Sequence, residues 1–168
     1  MQKAFFCWLA ILVFFIAGCK NACKDISCLH GGTCKDGTCN CAYGFGGKFC
    51  DTACPAGYEG EFCSIVIRDK FMRQWSAVTN SSSGGTVNHA LYITAGTAMS
   101  NINISNFDNE NFSVVGTVSG TYTFDIFTQN ATGSYTGSVS GSGKLNGQKL
   151  SIDLVNQNGI HYFVTCNP

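Results

Sequence analysis

The sequence predicts an all-β protein: a small disulfide-rich module followed by an eight-stranded antiparallel up-and-down barrel, with a two-sheet β-sandwich as the alternative packing. Three observations predict it. Of eleven cysteines, all but Cys166 lie at or before Cys63, and in a short exported chain such density reads as a crosslinked framework. From Trp75 onward apolar residues alternate with Ser, Thr and Asn, the period of strands buried on one face. Between those runs recur Asn, Asp and Gly clusters such as Asn146-Gly147, which turn a chain back on itself within a few residues.

The 168 residues leave room for one ordinary domain and a small module. Net charge is zero and only 12% of residues are charged, so no basic face is available to displace counterions from phosphates, and nucleic acid is excluded as a partner. The cysteine framework places the mature chain in an oxidising compartment.

The N-terminus carries an export signal. Met1-Gln2-Lys3 is a short positive end, Ala4 to Ile16 is uninterruptedly apolar, and Ile16-Ala17-Gly18-Cys19 closes the run with small residues. The run is shorter than the roughly 20 residues needed to cross a bilayer core. Ile16-Ala17-Gly18-Cys19 resembles the bacterial lipobox, which implies cleavage after residue 18 and acylation of Cys19. About two acyl chains suffice for stable anchoring, so the expected location is the cell envelope, on the outer membrane, with the bilayer itself as a partner. Residues 19–22 then form a tether, 23–64 the cysteine-rich module, and 68–168 the β-domain.

Within the module the spacing Cys23-x4-Cys28-x5-Cys34-x4-Cys39-x-Cys41-x8-Cys50 resembles that of EGF-like domains, as do Gly31-Gly32-Thr33-Cys34 and the closing segment from Cys41 through Gly44 and Phe45 to Cys50. Spacing alone leaves the connectivity open. The resemblance implies the pairs Cys23 with Cys34, Cys28 with Cys39, and Cys41 with Cys50. A partial second repeat follows, because Cys54, Gly57, Tyr58, Gly60, Phe62 and Cys63 echo Cys41, Gly44, Phe45, Gly47, Phe49 and Cys50; it suggests a Cys54–Cys63 pair. So small a module cannot offset chain entropy by burial, and crosslinks must restrict the unfolded ensemble instead. Many EGF-like domains bind calcium through acidic residues before the first cysteine, but Lys20-Asn21-Ala22 holds no carboxylate and a hard cation wants several oxygen ligands. The module is therefore expected to be structural. Asp51-Thr52-Ala53 resembles the O-glycosylation acceptor of Bacteroidota, with Thr52 as the modified residue.

In the β-domain, strands are expected near residues 75–79, 88–94, 100–107, 112–119, 121–128, 134–144, 148–156 and 160–166. Short connections favour antiparallel neighbours, and closure would remove exposed edges. The stretch Arg68-Asp69-Lys70-Phe71 leading to Trp75 resembles the opening turn of lipocalin-like barrels, although that family usually has Gly where Arg73 stands. The whole layout resembles envelope lipoproteins of Bacteroidota.

Catalytic groups are sparse. His30, His89 and His161 have no metal-like spacing to another ligand. Asp108 and Glu110 belong to a turn, and Asp125 and Asp153 to separate strands, so a two-carboxylate site has no local support. Phosphate-binding, dinucleotide and nucleophile-elbow motifs are absent. No catalytic residue, metal or cofactor is expected. Cys166 is left without a partner, as a buried free thiol.

Two functions are consistent with these readings. The first is a non-enzymatic binding or adhesion protein that meets a protein or glycan through uncharged Ser/Thr/Asn faces, with the EGF-like region as spacer. The second is a small-ligand carrier, its apolar pocket lined by Phe107, Phe112, Tyr122, Phe124 and Phe163.

Overall fold

Alternating side chains in the second half of the chain close into a barrel. A computed structural model describes residues 22–109 and 111–168; the expected signal segment, Cys19 with most of the expected tether, and Glu110 lie outside the described residues. The first half holds small hairpins: β1 (Thr33–Lys35) with β2 (Thr38–Asn40), β3 (Phe45–Gly46) with β4 (Thr52–Ala53), and β5 (Tyr58–Glu59) with β6 (Ile65–Val66). Then follow β7 (Arg73–Ser81), β8 (Thr86–Ala95), β9 (Asn101–Phe107), β10 (Phe112–Gly120), β11 (Thr123–Asn130), β12 (Ser138–Asn146), β13 (Lys149–Asn156) and β14 (His161–Asn167). Each pairs antiparallel with the next, and β14 pairs with β7 to close the ring. The barrel, rather than the sandwich, is the outcome.

Disulfides link Cys23 to Cys34, Cys28 to Cys39, Cys41 to Cys50 and Cys54 to Cys63. The echo in the sequence is a structural repeat of thirteen residues. Gly44 and Gly57 both take positive φ, 82° and 88°, a conformation glycine adopts without a steric penalty. Each opens a turn in which the next residue, Phe45 or Tyr58, donates its N–H to the carbonyl three residues back, that of Ala42 or Pro55. The carbonyls of Gly44 and Gly57 then accept from Cys54 and Ile67, both at 2.9 Å. Thr52 is exposed in β4.

The two halves share a joint at one end of the barrel, where β7 begins and the β8–β9, β10–β11 and β12–β13 connections lie. A 3-10 turn, Ile67–Lys70, enters directly from β6. Ile67, Phe71 and Trp75 are buried there. The indole N–H of Trp75 donates to the Phe71 carbonyl at 2.9 Å, satisfying the one polar group that burial would otherwise strand. Phe71 meets Phe124 edge-on, with ring centroids 5.3 Å apart. From the module, Tyr43 donates its hydroxyl to the Val118 carbonyl at 3.1 Å and Glu59 pairs with Lys70.

Inward positions follow the expected period: Leu91 and Ile93, Ile102 and Ile104, Phe112 and Val114, Phe124 and Ile126, and Leu150, Ile152 and Leu154 are all buried. Phe124 fits because two neighbours are glycine. A Cβ on Gly143 would overlap its ring, and one on Gly116 would come within 3.0 Å.

Phe107 breaks the alternation set by Ile102 and Ile104, yet is buried. A register shift against β10 leaves Asn106 as the extra residue, at φ 64°, and this bulge returns Phe107 to the interior. The sixth predicted interval, 134–144, becomes a strand only at Ser138, because residues 131–137 form a loop whose Tyr135 packs on Phe112 at 5.3 Å. That ring, with the Phe107–Phe112 stack at 5.4 Å, fills the end of the barrel away from the module.

Two residues assigned to an interior pocket lie outside the barrel. Tyr122 is 53% exposed and Phe163 is 49% exposed. Gly120 pairs with Thr123, so Thr121 and Tyr122 are the tip of a two-residue hairpin, and Tyr122 covers the Lys70 ammonium at 4.5 Å instead. Phe163 has opposite parity to the buried Val164 and Cys166, and period two turns it outward. Phe107, Phe112 and Phe124 do face inward, in the packed core.

Candidate binding face

The ladder between β10 and β11 is interrupted, and the interruption creates a surface concavity. The strands pair at Thr117–Asp125, Val118–Phe124 and Gly120–Thr123, then meet again only through an isolated bridge between Ser113 and Thr132. In the gap, the Gln129 side chain takes the place of a strand residue. Its Oε1 accepts from the Val115 N–H at 2.8 Å, and its Nε2 donates to the Val115 carbonyl at 2.6 Å and the Phe127 carbonyl at 3.1 Å. Backbone groups seldom go unpaired, and a primary amide is the side chain that offers donor and acceptor side by side.

A concavity of about 400 Å³ lies over this seam, lined by Thr94, Asn103, Ser105, Ser113, Val114, Val115, Gln129 and Thr132. The lining contains hydroxyls, amides and apolar carbon, and no ionisable side chain. Register sets Tyr92 beside Ser105 and Val115 beside Asn103. Tyr92, Val115 and Phe127 are all exposed, so aromatic and aliphatic surface borders the polar floor. Such a surface can hydrogen-bond a neutral, hydroxyl-rich ligand and cover its C–H faces, which the negative face of an aromatic ring attracts.

Other concavities are differently built. One of about 430 Å³ lies in the joint, between Thr38–Cys41 and Glu59–Glu61 of the module and Thr121 and Tyr122 of the barrel; its Glu59 is engaged by Lys70. Another, of about 380 Å³, lies on the outer face of β12–β14 and includes Lys144, Asp153 and Phe163. Beside it His161 donates through Nδ1 to Asp153 at 2.9 Å and stacks on Phe163 at 5.6 Å.

The remaining histidines are engaged locally. His30 donates through Nδ1 to the Cys50 carbonyl at 2.7 Å and stacks on Phe45 at 4.1 Å. His89 bonds the Thr79 hydroxyl at 2.8 Å. Burial raises the Asp108 pKa above the ordinary carboxylate value, and the nearby His89 partly opposes that rise. Cys166 is buried opposite Ala77 and Leu150, and burial pushes its thiol up to about 12, so it stays protonated at neutral pH. Among the described residues no group of three or more His, Cys, Asp or Glu converges as a metal would require.

The seam residues Gln129 and Thr132 were not among those singled out by sequence. The available signal was parity: Phe127 stands out of phase with Phe124 and Ile126, which marks an outward aromatic in an otherwise polar face. Cys19, the expected acylation site, lies outside the described residues.

No family model matches this chain, and no curated protein matches it. Among solved structures, the chain is similar to a redesigned β barrel, b11L5F_LGL, at TM-score 0.48 and 13% identity, covering 61% of this chain and 94% of that one. It is also similar to a redesigned β barrel, mFAP1, bound to DFHBI, at TM-score 0.49 and 10% identity over 61% and 98% of the two chains. EF1p2_mFAP2b bound to DFHBI aligns at TM-score 0.47 and 11% identity over 59% and 94%.

Proposed function

We propose that this chain is a non-enzymatic binding protein of the cell envelope, anchored to the outer membrane through an acylated Cys19, whose barrel holds a neutral glycan on the outer face of β8 to β11. The observation that carries this reading is the uncharged concavity at the Gln129 seam, bordered by exposed Tyr92, Val115 and Phe127. A charged partner would meet no counter-charge there, whereas a sugar finds hydroxyl and amide partners together with apolar cover. The barrel axis supports the same choice, because side chains from Trp75 and Phe71 at one end to Phe107 and Phe112 at the other form its core.

Affinity electrophoresis in neutral polysaccharides tests the site. The wild-type chain is expected to be retarded. The variant Asn103→Ala/Phe127→Ala should bind at least about tenfold more weakly, while its stability stays within roughly 0.5 kcal/mol, as for surface substitutions generally. A chain that migrates freely in every neutral polysaccharide refutes the glycan assignment and favours a protein partner. Saturable uptake of an apolar fluorescent probe, unaffected by the double variant, would instead favour a lipocalin-like carrier.

The anchor has its own test. Cys19→Ser is expected to abolish incorporation of a fatty-acid probe, because only that cysteine follows the small-residue run. Undiminished labelling would remove the lipid attachment from the proposal.

A further inference from the structure

The disulfide module carries apolar surface that neither its own fold nor the barrel covers. Phe62 is 82% exposed, Phe49 is 40% exposed, and Leu29 is also exposed. Phe49 and Phe62 hold equivalent places in the repeat, each directly before a disulfide cysteine, Cys50 or Cys63. The contacts that hold the barrel use other residues, Tyr43 and Glu59 among them.

The loops that carry these side chains are joined through their backbones. Leu29 donates its N–H to the Phe49 carbonyl at 2.8 Å, and Gly47 donates to the Glu61 carbonyl at 2.6 Å, which brings the two closing loops together. Gly37, Lys48, Phe49 and Glu61 share the wall of one small concavity of about 140 Å³. The chain leaves the module at the same place, since a Cβ on Gly37 would stand 3.5 Å from that of Ala22. Cys19 is three residues before Ala22, and three residues extend at most about 10 Å.

We infer that the Leu29–Phe49–Phe62 side of the module lies in the lipid interface, with the aromatic rings at headgroup depth and Lys48 beside them. The inference rests on the proposed anchor at Cys19, whose short reach keeps this side against the bilayer. Aromatic rings favour the boundary between headgroups and acyl chains. Lys48, whose ammonium stands 5.4 Å from the Phe49 centroid, can keep its charge among the headgroups while its stem covers apolar surface. Three exposed apolar side chains are too few to hold the protein on a membrane, and the lipid does that. Their effect is orientation: the module becomes a foot that holds the barrel at a set angle, rather than a freely swivelling spacer.

Phospholipids brominated near the glycerol end of their acyl chains test this by contact quenching. Trp75 is buried in the barrel and supplies a constant background. In the membrane-bound protein, the added emission of Phe62→Trp should be blue-shifted and fall roughly twofold in brominated vesicles, as expected for a ring at the interface. Asn158→Trp, in the β13–β14 turn at the other end of the barrel, should show no added quenching. Equal, unquenched emission from both variants would overturn the inference. The anchor is read separately, by acyl-probe incorporation at Cys19. If the cell does not acylate Cys19, coupling that thiol to a maleimide phospholipid restores the same tether, and quenching of Phe62→Trp then supports the interfacial face while its absence overturns it.

Discussion

Phe124→Ala is expected to destabilise the barrel by about 3–5 kcal/mol, the range for removing a buried aromatic from a core that cannot collapse around the space. Phe124 is fully buried, meets Phe71 edge-on, and lies against the backbone of Gly143 and Gly116. The reciprocal change should also be harmful. Gly143→Val forces a side chain into the Phe124 ring and should cost about 1–3 kcal/mol by overpacking. The two sites are cross-strand partners, so their effects should not add. Val at 143 partly refills the space left by Phe124→Ala, and the double variant should be more stable than the sum of single effects predicts by about 0.5–3 kcal/mol. Urea unfolding followed by Trp75 fluorescence measures all three. Strict additivity would show that the ring and the glycine are not packed as one unit.

Reduction should separate the two halves of the molecule. The disulfides close loops with sequence separations of 9 to 11 residues, and each is expected to contribute about 2–4 kcal/mol. The module otherwise has little to hold it, since Cys50 is its buried apolar residue among those described up to Val66. Reductant should therefore unfold residues 23–66. The barrel loses the bonds from Tyr43 and Gly57 and the partly exposed pair of Glu59 with Lys70, about 1–2 kcal/mol in all for such contacts.

Its transition should persist, a few degrees lower. Trp8 lies in the expected signal segment, and in a chain without that segment Trp75 is the remaining tryptophan and reports the barrel alone. The barrel core begins at Ile67, so a fragment starting at Ile65 should fold, whereas one starting at Arg68 should be weaker by about 2–5 kcal/mol, as for truncating a buried aliphatic. Loss of the Trp75 signal in step with reduction would mean that module and barrel fold as one unit.

Much of this architecture was legible in sequence because its signals are local. Period two assigned Leu150, Ile152 and Leu154 to the core without any knowledge of their partners, since alternate side chains on a strand face opposite ways. Short turns at Asn146-Gly147 and elsewhere made each strand the neighbour of the next, and the EGF-like spacing implied three of the disulfide pairs found, with the echo at Cys54 and Cys63 suggesting the fourth.

What sequence left open depended on contacts between segments distant along the chain. Closure of β14 on β7 joins opposite ends of the domain, and an alternating pattern serves a sandwich as well as a barrel. The hairpin tip moved Tyr122 out of the interior assigned to it, while the Asn106 bulge supplied the shift by which Phe107 faces inward as expected, because a single-residue shift in register reverses every side chain beyond it. Gln129 pairs with Val115, fourteen residues away, through a gap that exists only once β10 and β11 diverge. The candidate face was therefore set by tertiary structure: polar residues scattered over four strands became one surface when the barrel closed, and no local period records which residues would border it.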